Sequence, residues 1–165
     1  MANLSDHVVL VTGATPDIGC AVGQRVATDS ARVILFGDRK SRLEELPAEI
    51  GEHCYIAAFD VSDRTAVGAA FATLSAEFAE ITVPVNNAGN ALGAAPAQTA
   101  SLNDLDRMVI TNCKGVMYCM HMALPGMIEP GRNTQNLRRQ NPPVSARSCT
   151  PPSRFQATSM STTSK

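Results

Sequence analysis

Two kinds of apolar pattern alternate along the first 130 residues. Short continuous apolar runs occur at Val8 to Val11, Arg32 to Phe36, Cys54 to Phe59 and Ile81 to Val85. Such runs are expected of strands buried on both faces. Between them, apolar residues recur every third or fourth position, the spacing of a helix packed on a sheet. Ile18, Val22 and Val26 mark one such helix over Ile18 to Thr28, and Leu43, Leu46 and Ile50 mark another over Ser41 to Ile50. A third, with Val67, Ala70, Phe71, Leu74 and Phe78 on its face, follows Ser62, a residue suited to cap it. The βαβαβαβ order predicts an α/β fold with a doubly wound parallel sheet and right-handed crossovers. After a polar, alanine-rich loop, Leu102 to Ile128 reads as a long helical region, in which Leu105, Met108, Val109, Val116, Met117 and Met120 share a face with Asn112.

The first junction carries candidate chemistry. VVLVTGATPDIG, Val8 to Gly19, is a strand, a glycine-containing turn and a helix start. A pyrophosphate needs close backbone approach, which Gly13 and Gly19 permit, and the free N–H groups of a first helical turn. Asp38 closes the second strand where an acidic ribose ligand belongs. Against this stands the plainer reading that Gly13 and Gly19 only make a turn.

Charge divides the chain. Residues 1–130 hold 8 basic and 15 acidic side chains, a net of −7, while residues 131–165 hold 6 basic and no acidic ones. From Pro130 the sequence loses both periodicities and becomes rich in Arg, Ser, Thr, Pro and Gln. The expectation is therefore a nucleotide-binding domain over 1–130 and a disordered tail over 131–165. The five cysteines, Cys20, Cys54, Cys113, Cys119 and Cys149, have no C-x-x-C spacing, so neither a disulfide framework nor a metal site is expected. They read as reduced thiols of a cytoplasmic protein. The N-terminus has no secretory pattern, and no run approaches the ~18 apolar residues of a membrane span, so no membrane partner is expected.

Thr12-Gly13 with Ile18-Gly19, then Asp60-Val61, Asn86-Asn87-Ala88-Gly89 and Asn112-Cys113-Lys114-Gly115, in this order, resemble the short-chain dehydrogenase/reductase family. VNNAGNALG and LPGM are most similar to its branch of NADP-dependent serine and 3-hydroxy acid dehydrogenases. The resemblance covers roughly residues 5–129 and implies the N-terminal, cofactor-binding half of a Rossmann-type fold. It implies that Gly13, Thr15, Asp17, Ile18 and Gly19 lie along the pyrophosphate and adenosine, with Asp60 and Val61 at the adenine. Asn87, Ala88 and Gly89 would pass beneath the ribose, and Asn112 would be the helix-kinking asparagine of the catalytic tetrad. The plainer alternatives are a helix cap for Asp60, a turn for Ala88-Gly89 and a polar interface residue for Asn112. For the cofactor, Asp38 suits the 2′-hydroxyl of NAD, whereas Arg39, Lys40 and Arg42 suit the 2′-phosphate of NADP, with NADP favoured on resemblance. These charges could also simply begin a solvated helix.

The sequence also departs from the family pattern. Asp17 stands where the turn carries a glycine, adding a Cβ and a negative charge beside a diphosphate. Pro84 falls in a strand expected to be central, where a ladder N–H is needed. Ser30 stands where a helix commonly ends in glycine, and Gly23 weakens the same helix by about 1 kcal/mol relative to alanine. The family's serine and YxxxK pair have no counterpart: the only tyrosines are Tyr55 and Tyr118, neither with a lysine four residues on. Lys114 and Tyr118 have the reverse order and read as a helix-surface contact. A frame disruption near residue 130 would explain both the missing motif and the changed tail.

Three functions follow as expectations. The first is an NAD(P)-dependent oxidoreductase of a small alcohol or carbonyl substrate, inactive as this polypeptide. The second is a non-catalytic nucleotide-binding module that associates with itself or a relative through the helix around Asn112. The third, nucleic-acid contact through the basic tail, is disfavoured because that tail has one aromatic, Phe155, and no helical periodicity to predict an element for a groove.

Overall fold

A computed structural model describes residues 3–15, 18–51, 53–93, 95–96 and 98–128, the side chain of Glu49 excepted. Asp17, Cys149, the seam at Pro130 and the tail expected over 131–165 lie outside the described residues. Four parallel strands, β1 (Val8–Thr12), β2 (Arg32–Gly37), β3 (Cys54–Ala58) and β4 (Val83–Val85), form one sheet in the order β3-β2-β1-β4. The helices are α1 (Ile18–Thr28), α2 (Lys40–Glu45), α3 (Pro47–Ile50), α4 (Arg64–Ala72), α5 (Leu102–Val109) and α6 (Val116–Ile128). A π-helical turn, Ile110–Gly115, joins the last two.

The period-two geometry of a strand divides the central residues between two cores. Val8, Leu10, Ile34 and Phe36 pack with Ala70, Phe78, Ile81 and Ala123 on one side. Val9, Val11, Val33 and Leu35 pack with Ala14, Ala31, Leu43 and Leu46 on the other. Both faces of β1 and β2 are therefore dry, which is why their sequences are uninterrupted apolar runs. Phe36 anchors the first core through edge contacts with Phe59 and Phe71, at centroid separations of 4.8 and 5.4 Å.

Several local expectations are corrected. Pro47 divides the helix expected over Ser41 to Ile50, since it lacks the N–H that would continue α2 and begins α3 instead. Asp63, not Ser62, caps α4: its carboxylate accepts from the N–H groups of Thr65 and Ala66. Leu74 and Phe78 lie beyond α4, and Phe78 reaches the core from a turn. Gly23 is a packing position, because a Cβ there would come within 2.8 Å of Leu35 Cδ2 on β2. Ser30 takes the left-handed conformation, φ +70°, at the end of α1. Its N–H donates to Ala27 O and that of Ala31 to Val26 O, the paired bonds of a Schellman ending. Pro84 lies in β4, which forms an edge of the described sheet, but its nitrogen faces β1, so the ladder lacks one bond there. Thr82 N–H donates to Val8 O, and two residues on, opposite Leu10, Pro84 offers no N–H.

Candidate functional site

The chain order reverses direction in the sheet between β1 and β4, so the loops leaving these strands diverge and open a crevice at their carboxyl ends. This is the place where open α/β sheets bind ligands. A cavity of about 500 Å³ lies there, within the size range of small-molecule sites. Of the described residues expected at the cofactor, Gly13, Thr15 and Ile18 after β1, Asp38 and Arg39 after β2, Asp60 and Val61 after β3, and Asn87 to Gly89 after β4 line it, while Gly19, Lys40 and Arg42 do not.

The two loops beside the switch point are locked together through Thr12, which is 2% exposed. Its hydroxyl oxygen accepts from the N–H groups of Asn87 at 3.1 Å and Ala88 at 3.0 Å. The Asn87 amide returns the contact, donating to Thr12 O at 3.2 Å and Gly13 O at 2.9 Å. Gly13 is at φ +65°, and a Cβ on it would sit 2.7 Å from Ala88 Cα. A Cβ on Gly19 would lie 2.4 Å from Gly13 O. Gly19 thus lets α1 start against the turn, while Gly13 forms the cavity floor. The bare floor leaves room for a phosphate group to approach main chain, so the residues present fit a dinucleotide.

The walls carry opposite charges. Thr15 Oγ1 donates to Asp38 Oδ1 at 3.2 Å, and Arg39 Nη2 donates to Thr15 O at 2.8 Å. Asp60 accepts from Ser62 N–H at 2.8 Å, closing a turn while its residue also faces the cavity. Gly37, Phe59, Ser62, Asn90, Arg107, Ile110 and Thr111 complete the lining. Sequence reasoning did not single these out. Phe59 and Ser62 flank the Asp60-Val61 pair, and Gly37 precedes Asp38, so adjacency was the available signal for those three. Arg107 and Thr111 had none.

Asn112 lies in the π-helical turn and does not line the cavity. Its side chain clamps the backbone of residue 90, with Oδ1 accepting from Asn90 N–H and Nδ2 donating to Asn90 O, both at 2.8 Å. The Asn90 amide donates in turn to Thr111 Oγ1 at 3.1 Å. Lys114 is exposed and Tyr118 half-buried beside Val61 and Cys119. Burial pushes the thiols of Cys54 and Cys119 up to about 11 from an ordinary 9.0. Among the described residues there is no group of acidic, histidine and cysteine side chains fit to hold a metal ion. Nor is any helix among them long and apolar enough to cross a membrane.

Comparison with known proteins agrees with this geometry. Residues 7–134 match the family model described as short chain dehydrogenase. The NADP-dependent 3-hydroxy acid dehydrogenase YdfG of Escherichia coli K12 is 45% identical over 122 residues, which are 74% of this chain and 49% of that protein. Serine 3-dehydrogenase of Rhizobium radiobacter is 44% identical over 121 residues, 73% of this chain and 49% of that one. The chain thus spans about half the length of the curated relatives it matches. Among solved structures, serine dehydrogenase from Escherichia coli superposes with a TM-score of 0.71 at 45% identity, covering 74% of this chain and 56% of that one. A closed form of serine dehydrogenase complexed with NADP+ gives 0.72 at 45% identity, covering 74% and 49%.

Proposed function

This chain belongs to the short-chain dehydrogenase family, and from that premise we propose that it is the dinucleotide-binding half of an NADP-dependent oxidoreductase of small 3-hydroxy acids or serine. The supporting observation is the cavity at the β1/β4 switch point, floored by Gly13 and walled by Asp38, Arg39, Asp60 and Val61. Gly13, Thr15, Asp17, Ile18 and Gly19 would follow the pyrophosphate, and Asn87 to Gly89 the ribose. Hydride transfer needs an acid to protonate the substrate oxygen, and the 165 residues contain no YxxxK. The polypeptide as it stands therefore binds the dinucleotide without turnover. Residues 1–130 form the domain that does so.

Calorimetric titration of the full chain with NADP+ tests this reading. Saturable binding is expected, lost in Gly13→Ala because a Cβ would meet Ala88 at 2.7 Å. No NADPH should form with serine or a 3-hydroxy acid. Absence of binding, or turnover, would overturn it.

A second reading, association through the α5–α6 region, is favoured by one observation. Leu102, Val109, Met117 and Ile128 are each more than half exposed, a stripe that runs along both helices. Such a stripe marks an interaction face. Sedimentation of the chain alone, and mixed with a full-length relative, distinguishes this from a monomeric binding module.

A further inference from the structure

We propose that Thr15 is a specificity-determining residue, which selects a 2′-phosphorylated adenosine ribose by fixing how Asp38 and Arg39 face it. The inference rests on the dinucleotide reading of the cavity. Thr15 is only 8% exposed, yet two of its atoms reach the charged pair at the end of β2. The hydroxyl donates to Asp38 Oδ1 at 3.2 Å, and the carbonyl accepts from Arg39 Nη2 at 2.8 Å. Arg39 Nε lies 3.8 Å from the same Asp38 oxygen. Gly37 makes this closeness possible, since a Cβ there would stand 3.0 Å from Thr15 Cγ2 and 3.3 Å from Oγ1.

Alone, the Asp38-Arg39 pair is ambivalent. A free carboxylate accepts a hydrogen bond from a 2′-hydroxyl and repels a 2′-phosphate, while a guanidinium attracts the phosphate through charge-assisted hydrogen bonds. Thr15 breaks the tie. Its hydroxyl and Arg39 Nε converge on a single oxygen, Oδ1, which restrains the carboxylate and offsets its charge. Arg39 meanwhile is tethered by one nitrogen to a neutral carbonyl, and its other N–H groups remain for an anion. Both side chains stay open to an incoming ligand, at 70% exposure for Asp38 and 54% for Arg39. The buried threonine is the positioning residue, and the two charged residues make the contacts.

The test is calorimetric titration of the full-length chain with NADP+ and NAD+ separately. Wild type should bind NADP+ more tightly. Thr15→Val keeps the carbonyl and the shape but removes the hydroxyl, so the affinity ratio should move toward NAD+ by about fivefold, the scale of one hydrogen bond. Thr15→Ser should restore the ratio, and Gly37→Ala, which crowds Thr15, should shift it in the same direction as Thr15→Val. If Thr15 acts through Asp38, adding Thr15→Val to Asp38→Asn should leave the ratio where Asp38→Asn alone puts it. An unchanged ratio in Thr15→Val, an equal loss for both nucleotides, or a full effect in the Asp38→Asn background would each overturn the role of Thr15. A wild-type chain that binds neither nucleotide would overturn the dinucleotide reading itself, and this inference with it.

Discussion

Replacing Thr12 by valine isolates the junction on which the cavity depends. The side chains are nearly isosteric, so the substitution preserves packing and removes one oxygen. That oxygen accepts from two backbone N–H groups, those of Asn87 at 3.1 Å and Ala88 at 3.0 Å, and its residue is 2% exposed. An unsatisfied buried donor costs about 1–3 kcal/mol. The Asn87 N–H keeps a second acceptor in Val85 O at 3.1 Å, so the Ala88 N–H is the donor left unsatisfied and the expected loss is about 1–3 kcal/mol. A domain of this size has about 5–15 kcal/mol in total. At about 3–5 °C per kcal/mol, Tm should fall by roughly 3–15 °C. Urea unfolding followed by far-UV circular dichroism measures the change directly, with Thr12→Ser as the control. Serine keeps the hydroxyl and gives up one methyl group, about 1 kcal/mol. If Thr12→Val costs less than about 0.5 kcal/mol, or no more than Thr12→Ser, then the Thr12 hydroxyl does not hold the two loops together and the reasoning fails.

Two further outcomes follow from the backbone and the thiols. Ser30→Gly should stabilise the chain by about 1 kcal/mol, because φ +70° is unfavourable for a residue with a Cβ and free for glycine; denaturant midpoints that do not rise would contradict this. Cys54 and Cys119 have pKa values raised by burial from 9.0 to about 11, so the native state holds these protons more tightly than the unfolded chain. Their contribution to stability is therefore complete below about pH 9 and declines as pH rises toward 11. Cys54→Ala and Cys119→Ala should each flatten that decline in pH-dependent melts. A slope unchanged by either substitution would refute it.

The strands were legible because β1 and β2 are buried on both faces and so must be apolar throughout. The candidate cavity was legible for a related reason: Gly13, Asp38 and Asn87 sit where strands end, and strand ends are marked by the termination of apolar runs. Periodicity was less informative about what lies between. Leu74 and Phe78 keep helical spacing with Val67, but they fill the core from turns, since burial rewards an apolar residue whatever backbone delivers it. Asp63 won the cap from Ser62 because only its carboxylate reaches two free N–H groups. Gly23, a weak point in α1 by helix propensity, is set by Leu35 packed against it, a contact with no local signature. The walls contributed by Arg107 and Thr111 depend on how α5 crosses the sheet end, a tertiary fact with no local signature.

The clamp between Asn112 and residue 90 acts as a caliper. Both ends of the asparagine amide engage the N–H and C=O of the same residue, so the gap between the helical layer and the loop after β4 is set by the reach of one short side chain. Glutamine offers the same two groups on a stem longer by one C–C bond, about 1.5 Å, and would hold the loop at the wrong distance. Aspartate has the right length but can only accept, and it would turn a carboxylate toward the Asn90 carbonyl. Chemical similarity therefore predicts little at position 112. The fold there measures length and polarity together, and that single dimension sets how far the Asn87 to Gly89 wall stands from the helices.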